Sequence, residues 1–387
     1  MVTWAKVVGQ FPPTNQKEPR TERVFERSKR VVRHDFPAYS ARRLAPCAAL
    51  GTLIDPLRAI CYSPQTFVSG VNAMLIAGQP QKQPADDSAP VVNWEETACP
   101  LCHGRHWSPL LEAQDPHAGG DGFWFAVVQC DSCGTCFTNP RPDEATIARH
   151  YPLQHAGDEK HHQPRARTWE SQRLWHAKAP QPIAWHGDGR LLDVGCGTGQ
   201  FMHRMHRRGW KVVGLDESTR AVERIRDELG LPAYAGSLPH LDLEPESFDV
   251  ITMWQSLPHV HEPLALLREA RSLLVPGGKL ILTTPNIDSW PFRWFGRHWS
   301  GLNLPRHLTH FTPVTLPQML QRAGFVTPPI RGLRQASWLR ASARLARRQP
   351  RPARWQKLLT NFLAAELASW VCFFAEQCDG LLAVGYR

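Results

Sequence analysis

The chain has 387 residues, of which 42% are apolar and 21% charged, with a formal net charge of +10, the composition of a globular protein of two or three domains. No run of eighteen apolar residues occurs, so a membrane-spanning helix is not expected. The positive charge is local: residues 1–90 hold 12 Lys and Arg against 7 acids, residues 331–357 hold nine Lys and Arg and no acid, and the rest is mildly acidic. An extended phosphate-tracking surface on the central part is therefore not expected, and nor is a nucleic-acid partner.

Residues 1–90 alternate Arg-rich and Pro-rich stretches, and QPQKQPADDSAP at 79–90 reads as a linker. Two readings stay open: a disordered extension, or upstream sequence ahead of a true start at Met74. The Arg-rich start also has the look of a transit peptide, which its several acids oppose. MVTWAKVVGQFPPTNQ has no apolar core before a cleavage site, so no signal peptide is read and the default location is cytoplasmic.

Residues 91–145 carry CPLCHG and CDSCGTCFTNPRP. Ten cysteines without a secretion signal do not argue for disulfides. Cys99-x2-Cys102 and Cys130-x2-Cys133, separated by 27 residues, are two knuckles that together complete a tetrahedral zinc site. The separation exceeds the common spacing, so a hairpin containing DGFWFAVVQC fills it. His103 and Cys136 are spare donors, and a redox pair or reduced core thiols are the competing readings. With four thiolates occupied, the zinc is structural.

From residue 190 the chain alternates strands, RLLDV, KVVGLD, FDVITMW and KLILTTP, with amphipathic helices such as TRAVERIRDELG and PLALLREARSLLVPGG. This order predicts an α/β fold with a doubly wound, mostly parallel sheet. In LLDVGCGTGQF, Gly195, Gly197 and Gly199 follow Asp193 at every second position. Glycine at such a turn lets a ligand approach the backbone closely. The spacing differs from the dinucleotide fingerprint, with Gln200 where the third glycine of that fingerprint falls. An acid in the turn repels a pyrophosphate but suits a cationic nucleoside, and Asp216 closes the next strand where ribose hydroxyls are bound.

LLDVGCGTGQF, VVGLDES, FDVITMWQSLPHV and LLVPGGKLILTTPN, in that order, resemble the motifs of the class I S-adenosylmethionine-dependent methyltransferases, over roughly residues 185–330. GLLAVGYR matches a final strand. The resemblance implies a Rossmann-like sheet with helices on both faces, spanning residues 146–387 and carrying a basic helical insertion at 331–378. It also implies S-adenosyl-L-methionine as the cofactor. Gly195, Gly197 and Gly199 would line its methionine part, with Cys196 and Thr198 in the same turn. Asp193 would lie near its amino group, Asp216 and Glu217 near the ribose, and Ser237, Leu238 and Trp254 around the adenine and strand end. The segment 91–145 is similar to the zinc ribbon placed before some bacterial members, including the trailing C-G-x-x-x-x-N-P-R-P run.

Methyl transfer to a hydroxyl is helped by a general base. The candidates are His259 in SLPHV and His307 and His310 in LPRHLTHFTP, His259 first. SLPHV stands where ubiquinone-pathway O-methyltransferases show Leu-Glu-His, but the glutamate position is Pro258, and Gln255 stands where some relatives have another acid. A catalytic metal is therefore not expected. The PRHLTHFTP segment resembles one in a broad group of bacterial methyltransferases related to that pathway.

Near the end, Arg340, Arg344, Arg347 and Arg348 share one helical face and Ala336, Leu339, Ala343 and Ala346 another. In LLTNFLAAELASWVCFF, positions 359, 362, 363, 367, 370, 371 and 374 are apolar at helical spacing. Two helices packed on the core explain this; so does a peripheral surface lying on anionic membrane, which would place the protein at the inner face of that membrane. The sequence reading is thus a methyltransferase acting, at oxygen, on a small-molecule, glycan or lipid-linked acceptor. A non-catalytic zinc-ribbon protein that binds S-adenosylmethionine and an RNA methyltransferase are the open alternatives. The near-neutral core and the missing Asn/Asp-Pro-Pro-aromatic motif oppose the RNA reading.

Overall fold

In the computed structural model the described residues are 92–115, 123–151, 187–349 and 352–387. The readings on residues 1–91, Met74 and the linker included, lie outside them. The described residues all belong to one of the chain's two units, Asp86–Arg387.

The cysteine segment forms β1 (Trp94–Glu95), β2 (Trp107–Gln114), β3 (Trp124–Cys130), β4 (Cys136–Thr138) and β5 (Arg141–Pro142). β2 and β3 pair antiparallel with Trp107 opposite Cys130, which is the expected hairpin between the two knuckles, and β4 extends it. Next come β6 (Arg190–Val194), α1 (Gln200–His206), β7 (Lys211–Asp216), α2 (Thr219–Leu229), β8 (Ala233–Ala235), β9 (Phe248–Trp254), α3 (Pro263–Leu273) and β10 (Leu274–Pro285). The chain closes with α4 (Trp290–Phe295), β11 (Thr309–His310), α5 (Thr315–Arg322), β12 (Arg331–Leu333), α6 (Ala336–Ala346), α7 (Arg354–Leu358), α8 (Phe362–Phe374) and β13 (Gly380–Tyr386).

Seven strands form one sheet in the order β8-β7-β6-β9-β10-β13-β12, parallel from β8 to β10, with β13 antiparallel to both β10 and β12. The central strands are covered on both faces, so Leu191, Leu192, Ile251, Met253, Leu280, Ile281 and Leu282 are all inaccessible. This explains why their sequences are continuous apolar runs rather than alternating ones. Local chemistry sets the helix ends. Ser218 Oγ accepts the Ala221 amide at the start of α2, and Gly230 ends it in the left-handed region. The VPGG stretch after α3 does not form a loop; it enters β10, where the register shifts between Leu274 and Lys279.

Three features differ from the sequence expectation. β11, from the LPRHLTHFTP segment, completes a four-stranded sheet in the order β11-β4-β3-β2, so a segment that follows the parallel strands supplies the edge strand of the cysteine-hairpin sheet. They also share a core, in which Cys99, Leu101 and Phe137 cluster with Leu192, Met253 and Phe311. The basic segment starts as strand, not helix, since Arg331–Leu333 is the sheet edge, and it contains three helices instead of two.

One ion pair pins the β11 segment to the end of the cysteine hairpin. Arg306 donates from Nη2 to Asp115 Oδ1 at 2.8 Å and from Nη1 to Asp115 Oδ2 at 3.2 Å and to the His150 carbonyl at 2.6 Å. Both side chains are almost fully buried. A bidentate guanidinium suits this site, whereas one charge left alone there is costly. Arg306→Met is expected to lower unfolding free energy by about 3–5 kcal/mol in urea denaturation; a loss under about 1 kcal/mol would show that the pair does not hold the two sheets together.

Candidate functional site

β6 lies between β7 and β9, so the chain leaves its first sheet strand at the point where the strand order reverses, above the carboxyl ends of the strands. Gly195 there has φ +74° and donates its amide to the Leu215 carbonyl at 2.7 Å. A Cβ on it would meet Ser256 Cβ at 2.6 Å. Ser256 in turn donates to the Val194 carbonyl at 2.9 Å, locking the turn against the end of β9. At Gly199, with φ +70°, a Cβ would strike Ile225 and Leu229 at 2.8 and 2.9 Å. The close neighbour on the Cβ side there is helix α2, so packing against that helix alone already requires glycine at this position.

Asp216, ending β7, braces the turn: its Oδ2 accepts the Gly197 amide at 2.8 Å and its Oδ1 accepts the Ser218 amide at 2.9 Å. Each carboxylate oxygen keeps a further lone pair, so the group suits diol recognition while it fixes the loop. Asp193 is buried, with Oδ1 accepting from Thr252 at 2.6 Å. Burial raises its carboxyl to about 7, the Thr252 hydroxyl opposing and Asp216 adding to the rise. Cys196 is buried and burial pushes its thiol up, so it packs rather than reacts. Thr198 and Ser237 are half-buried, Leu238 is buried, Glu217 is exposed, and Trp254 packs edge-to-face on Phe201 at 5.1 Å. The sequence-predicted cofactor residues thus all fall at the carboxyl ends of β6 to β9, on one rim of the sheet.

The three histidines form one ladder behind that rim. Gln255, at φ +61°, turns the chain out of β9 into a 3-10 turn, Leu257–His259. A non-glycine residue in this backbone region at a strand end is a mark of functional sites. His259 is half-buried, with Nδ1 2.8 Å from the Tyr151 hydroxyl. Its ring meets that of His307 at 4.6 Å, and His307 meets His310 at 6.5 Å. His307 is buried and donates from Nδ1 to the Gly301 carbonyl at 2.8 Å. Thr138 donates its single hydroxyl proton to the His307 carbonyl at 2.8 Å, so the 3.2 Å contact with His310 Nε2 makes that nitrogen the donor. Burial, with His259 and His310 nearby, lowers the His307 ring well below its ordinary range, and burial holds His310 down at about 3. His307 and His310 are therefore neutral, enclosed supports, and His259 is the one of the three at the open end.

Sequence reasoning missed Tyr151, Thr138 and Arg306. PRHLTH flagged the stretch containing Arg306, but its partner Asp115 is 191 positions away. Tyr151 lies 108 positions from His259 with no motif around it.

The four knuckle cysteines bring their sulfurs within 4.8 Å of one another. Cys99–Cys133 and Cys102–Cys130 are each 3.5 Å apart, far from disulfide length and close to the roughly 3.8 Å spacing set by a tetrahedral ion about 2.3 Å from each sulfur. Both knuckles turn alike: the His103 and Gly134 amides bond back to the Cys99 and Cys130 carbonyls, and both residues have positive φ. His103 points to solvent, and Cys136, which burial pushes up to about 12 with Asp288 and Cys133 adding, lies outside the group. The donor set is four thiols, soft ligands suited to zinc, with no spare donor in it.

Residues 161–327 match a family model described as a methyltransferase domain. The ubiquinone biosynthesis O-methyltransferase of Xanthomonas euvesicatoria pv. vesicatoria is 33% identical over 171 residues, covering 41% of this chain and 71% of that protein. The Aeromonas salmonicida protein of the same name is 29% identical over 159 residues, 38% of this chain and 67% of that one. Among solved structures, an S-adenosylmethionine-dependent methyltransferase from Mesorhizobium loti is 22% identical, with a TM-score of 0.40, and covers 57% of this chain and 97% of its own.

The buried neutral histidines carry a pH signature. Their folded-state pKa values lie below the unfolded value of 6.5, so their contribution is complete above about pH 6.5 and is lost as pH falls toward 3. Stability is expected to drop between pH 6.5 and 4, with a slope of up to about 1.4 kcal/mol per pH unit for each group. His310→Gln is expected to flatten that slope by about one proton in urea titrations; an unchanged slope would mean that His310 is not held neutral.

Proposed function

The chain belongs to the class I S-adenosylmethionine-dependent methyltransferases, and from that premise we propose that it methylates an oxygen of a small-molecule, glycan or lipid-linked acceptor with His259 as the general base. S-adenosylmethionine, when bound, supplies a methyl group already activated on a sulfonium. The residues that fit it are the turn Gly195–Gly199, Asp216 with its remaining lone pairs, and Ser237 and Leu238 beyond β8.

The observation that carries the base assignment is the anchoring of His259. Burial pushes the Tyr151 phenol up, so it stays protonated and holds the His259 ring through Nδ1 at 2.8 Å. In the tautomer whose Nδ1–H donates to the phenol oxygen, Nε2 keeps the lone pair a base needs. His307 and His310 have their ring protons committed to Gly301 and Thr138 and hold the imidazole from behind. Pro258, buried in the same turn, supplies no carboxylate, but its carbonyl accepts the Leu308 amide at 2.7 Å and so docks the base on the histidine segment. The residues align a hydroxyl and receive its proton, which is what a pre-activated donor leaves for a protein to do.

Incubation with methyl-labelled S-adenosylmethionine and an extract of the source organism tests this. Label should enter an acceptor, and His259→Gln should slow entry about 10²–10⁴-fold while cofactor binding by calorimetry is unchanged. An unaltered rate in that variant would remove His259 as the base.

We place a structural zinc ion on Cys99, Cys102, Cys130 and Cys133. Four thiolates close the coordination sphere, so the ion shapes the hairpin and has no open position. Purified protein is expected to hold about one zinc per chain by elemental analysis, and Cys133→Ser or strong chelation should remove it and lower the melting temperature. Full stability in metal-free protein would refute the assignment.

A further inference from the structure

We propose that the outward face of α7 and α8 is a docking surface for an anionic lipid bilayer. A surface helix normally turns its large apolar side chains inward. α8 does the reverse. Its buried side is Ala365, Ser369 and Cys372, while Phe362, Leu363, Leu367, Val371 and Phe374 are 55–78% exposed. Trp355 and Leu358 of α7 continue the strip. Seven of the thirteen exposed large apolar residues among the described residues lie between 355 and 374, so they form a patch rather than the usual scatter.

Charge selects the occupant. Arg344, Arg347, Arg348, Arg354 and Lys357 are exposed beside the strip. Arg340 lies 5.7 Å from the Phe362 ring, which sets the basic side of α6 against the start of α8. The one acid from Ala336 to Phe374 is Glu366, and it is neutralised by Arg334 at 2.6 Å, whose guanidinium also lies 3.8 Å from the Trp370 ring. Glu376, two residues past Phe374, is an exposed acid at the end of the strip, but the cations along its length outnumber it, and apolar and aromatic side chains bordered mainly by cations are the pattern of a helix lying in an anionic membrane interface. A second copy of this chain would bring the same basic border against itself. α8 has 13 residues, about 20 Å, and no described helix is long and apolar enough to cross a membrane, so it lies in the plane.

The patch is joined to the acceptor side of the sheet. Trp355 contacts Trp294 and Phe295 of α4 at ring distances of 6.4 and 5.6 Å, and α4 follows β10 at its carboxyl end. Docking therefore presents that end of the sheet to lipid and narrows the acceptor to a membrane-borne molecule, a consequence that rests on the methyl-transfer reading above.

The test is flotation of the full chain with vesicles of phosphatidylcholine alone or mixed equally with phosphatidylglycerol. The protein should float with the mixed vesicles, and high salt should release it. Leu363→Glu with Leu367→Glu should weaken binding at least about ten-fold, and Arg344→Gln and Arg347→Gln about five-fold each. S-adenosylmethionine affinity of each variant, measured by calorimetry, should stay at the wild-type value and so report an intact fold. No flotation, or equal flotation on both vesicle types with no effect of the arginine variants, overturns the proposal. So does a dimer in light scattering that Leu363→Glu converts to monomer. Vesicle binding without label transfer would instead count against the methyl-transfer reading alone.

Discussion

The segment from Asn303 to Phe311 is the constraint on which the site depends. Arg306 reaches across to Asp115, β11 pairs with β4, and Leu308 exchanges backbone bonds with Pro258 and Thr138. These contacts fasten the cysteine hairpin, the His259 turn and the seven-stranded sheet at one place. None is strong alone, and a buried ion pair is expensive to form. Together they leave His307 and His310 fully enclosed with every ring proton assigned, which gives His259 a rigid wall to lean on.

The same economy governs the cofactor rim. Asp216 organises two amides of the loops that flank it and still offers lone pairs outward. Gly195 and Gly199 are glycine because Ser256, Ile225 and Leu229 occupy the space a Cβ would need. At these two positions the protein's own packing requires glycine and brings the turn to the shape that we propose a ligand uses. Preorganisation of this kind lowers the cost of binding, since the loop has little freedom left to lose.

The strands, the α2 and α3 helices and the cysteine knuckles were legible because each is encoded locally. RLLDV, KVVGLD and FDVITMW are strands in the structure because both faces are buried, and CPLCHG and CDSCG are knuckles because the spacing fixes the turn. β12 and β11 were not legible: RGL and TH are too short for periodicity, and their pairing is set by β13 and β4. The histidine ladder was half legible. Its members stood out, but which one faces outward depends on Thr138, Gly301 and Tyr151, partners from distant segments. At the glycine turn, the packing of Gly199 against Ile225 and Leu229 of α2 was not legible, because those partners lie in a later helix.

The helices near the end show what periodicity leaves out. An apolar stripe at positions 362, 363, 367, 371 and 374 is the same pattern whether it faces a core or a bilayer. What decides is the opposite side. Ala365, Ser369 and Cys372 are small enough for α8 to lie close against α6, whose own inner side is Ala336, Ser342, Ala343 and Ala346 around Leu339. Two small-residue faces pack helix on helix at short range and use up the available interior, so the large side chains have nowhere to go but outward. Burying them would require the chain to give up that close packing, with the basic side of α6 turned inward in exchange. The charge pattern forbids this: five exposed cations border the strip, and desolvating even one without a partner costs more than a buried leucine returns.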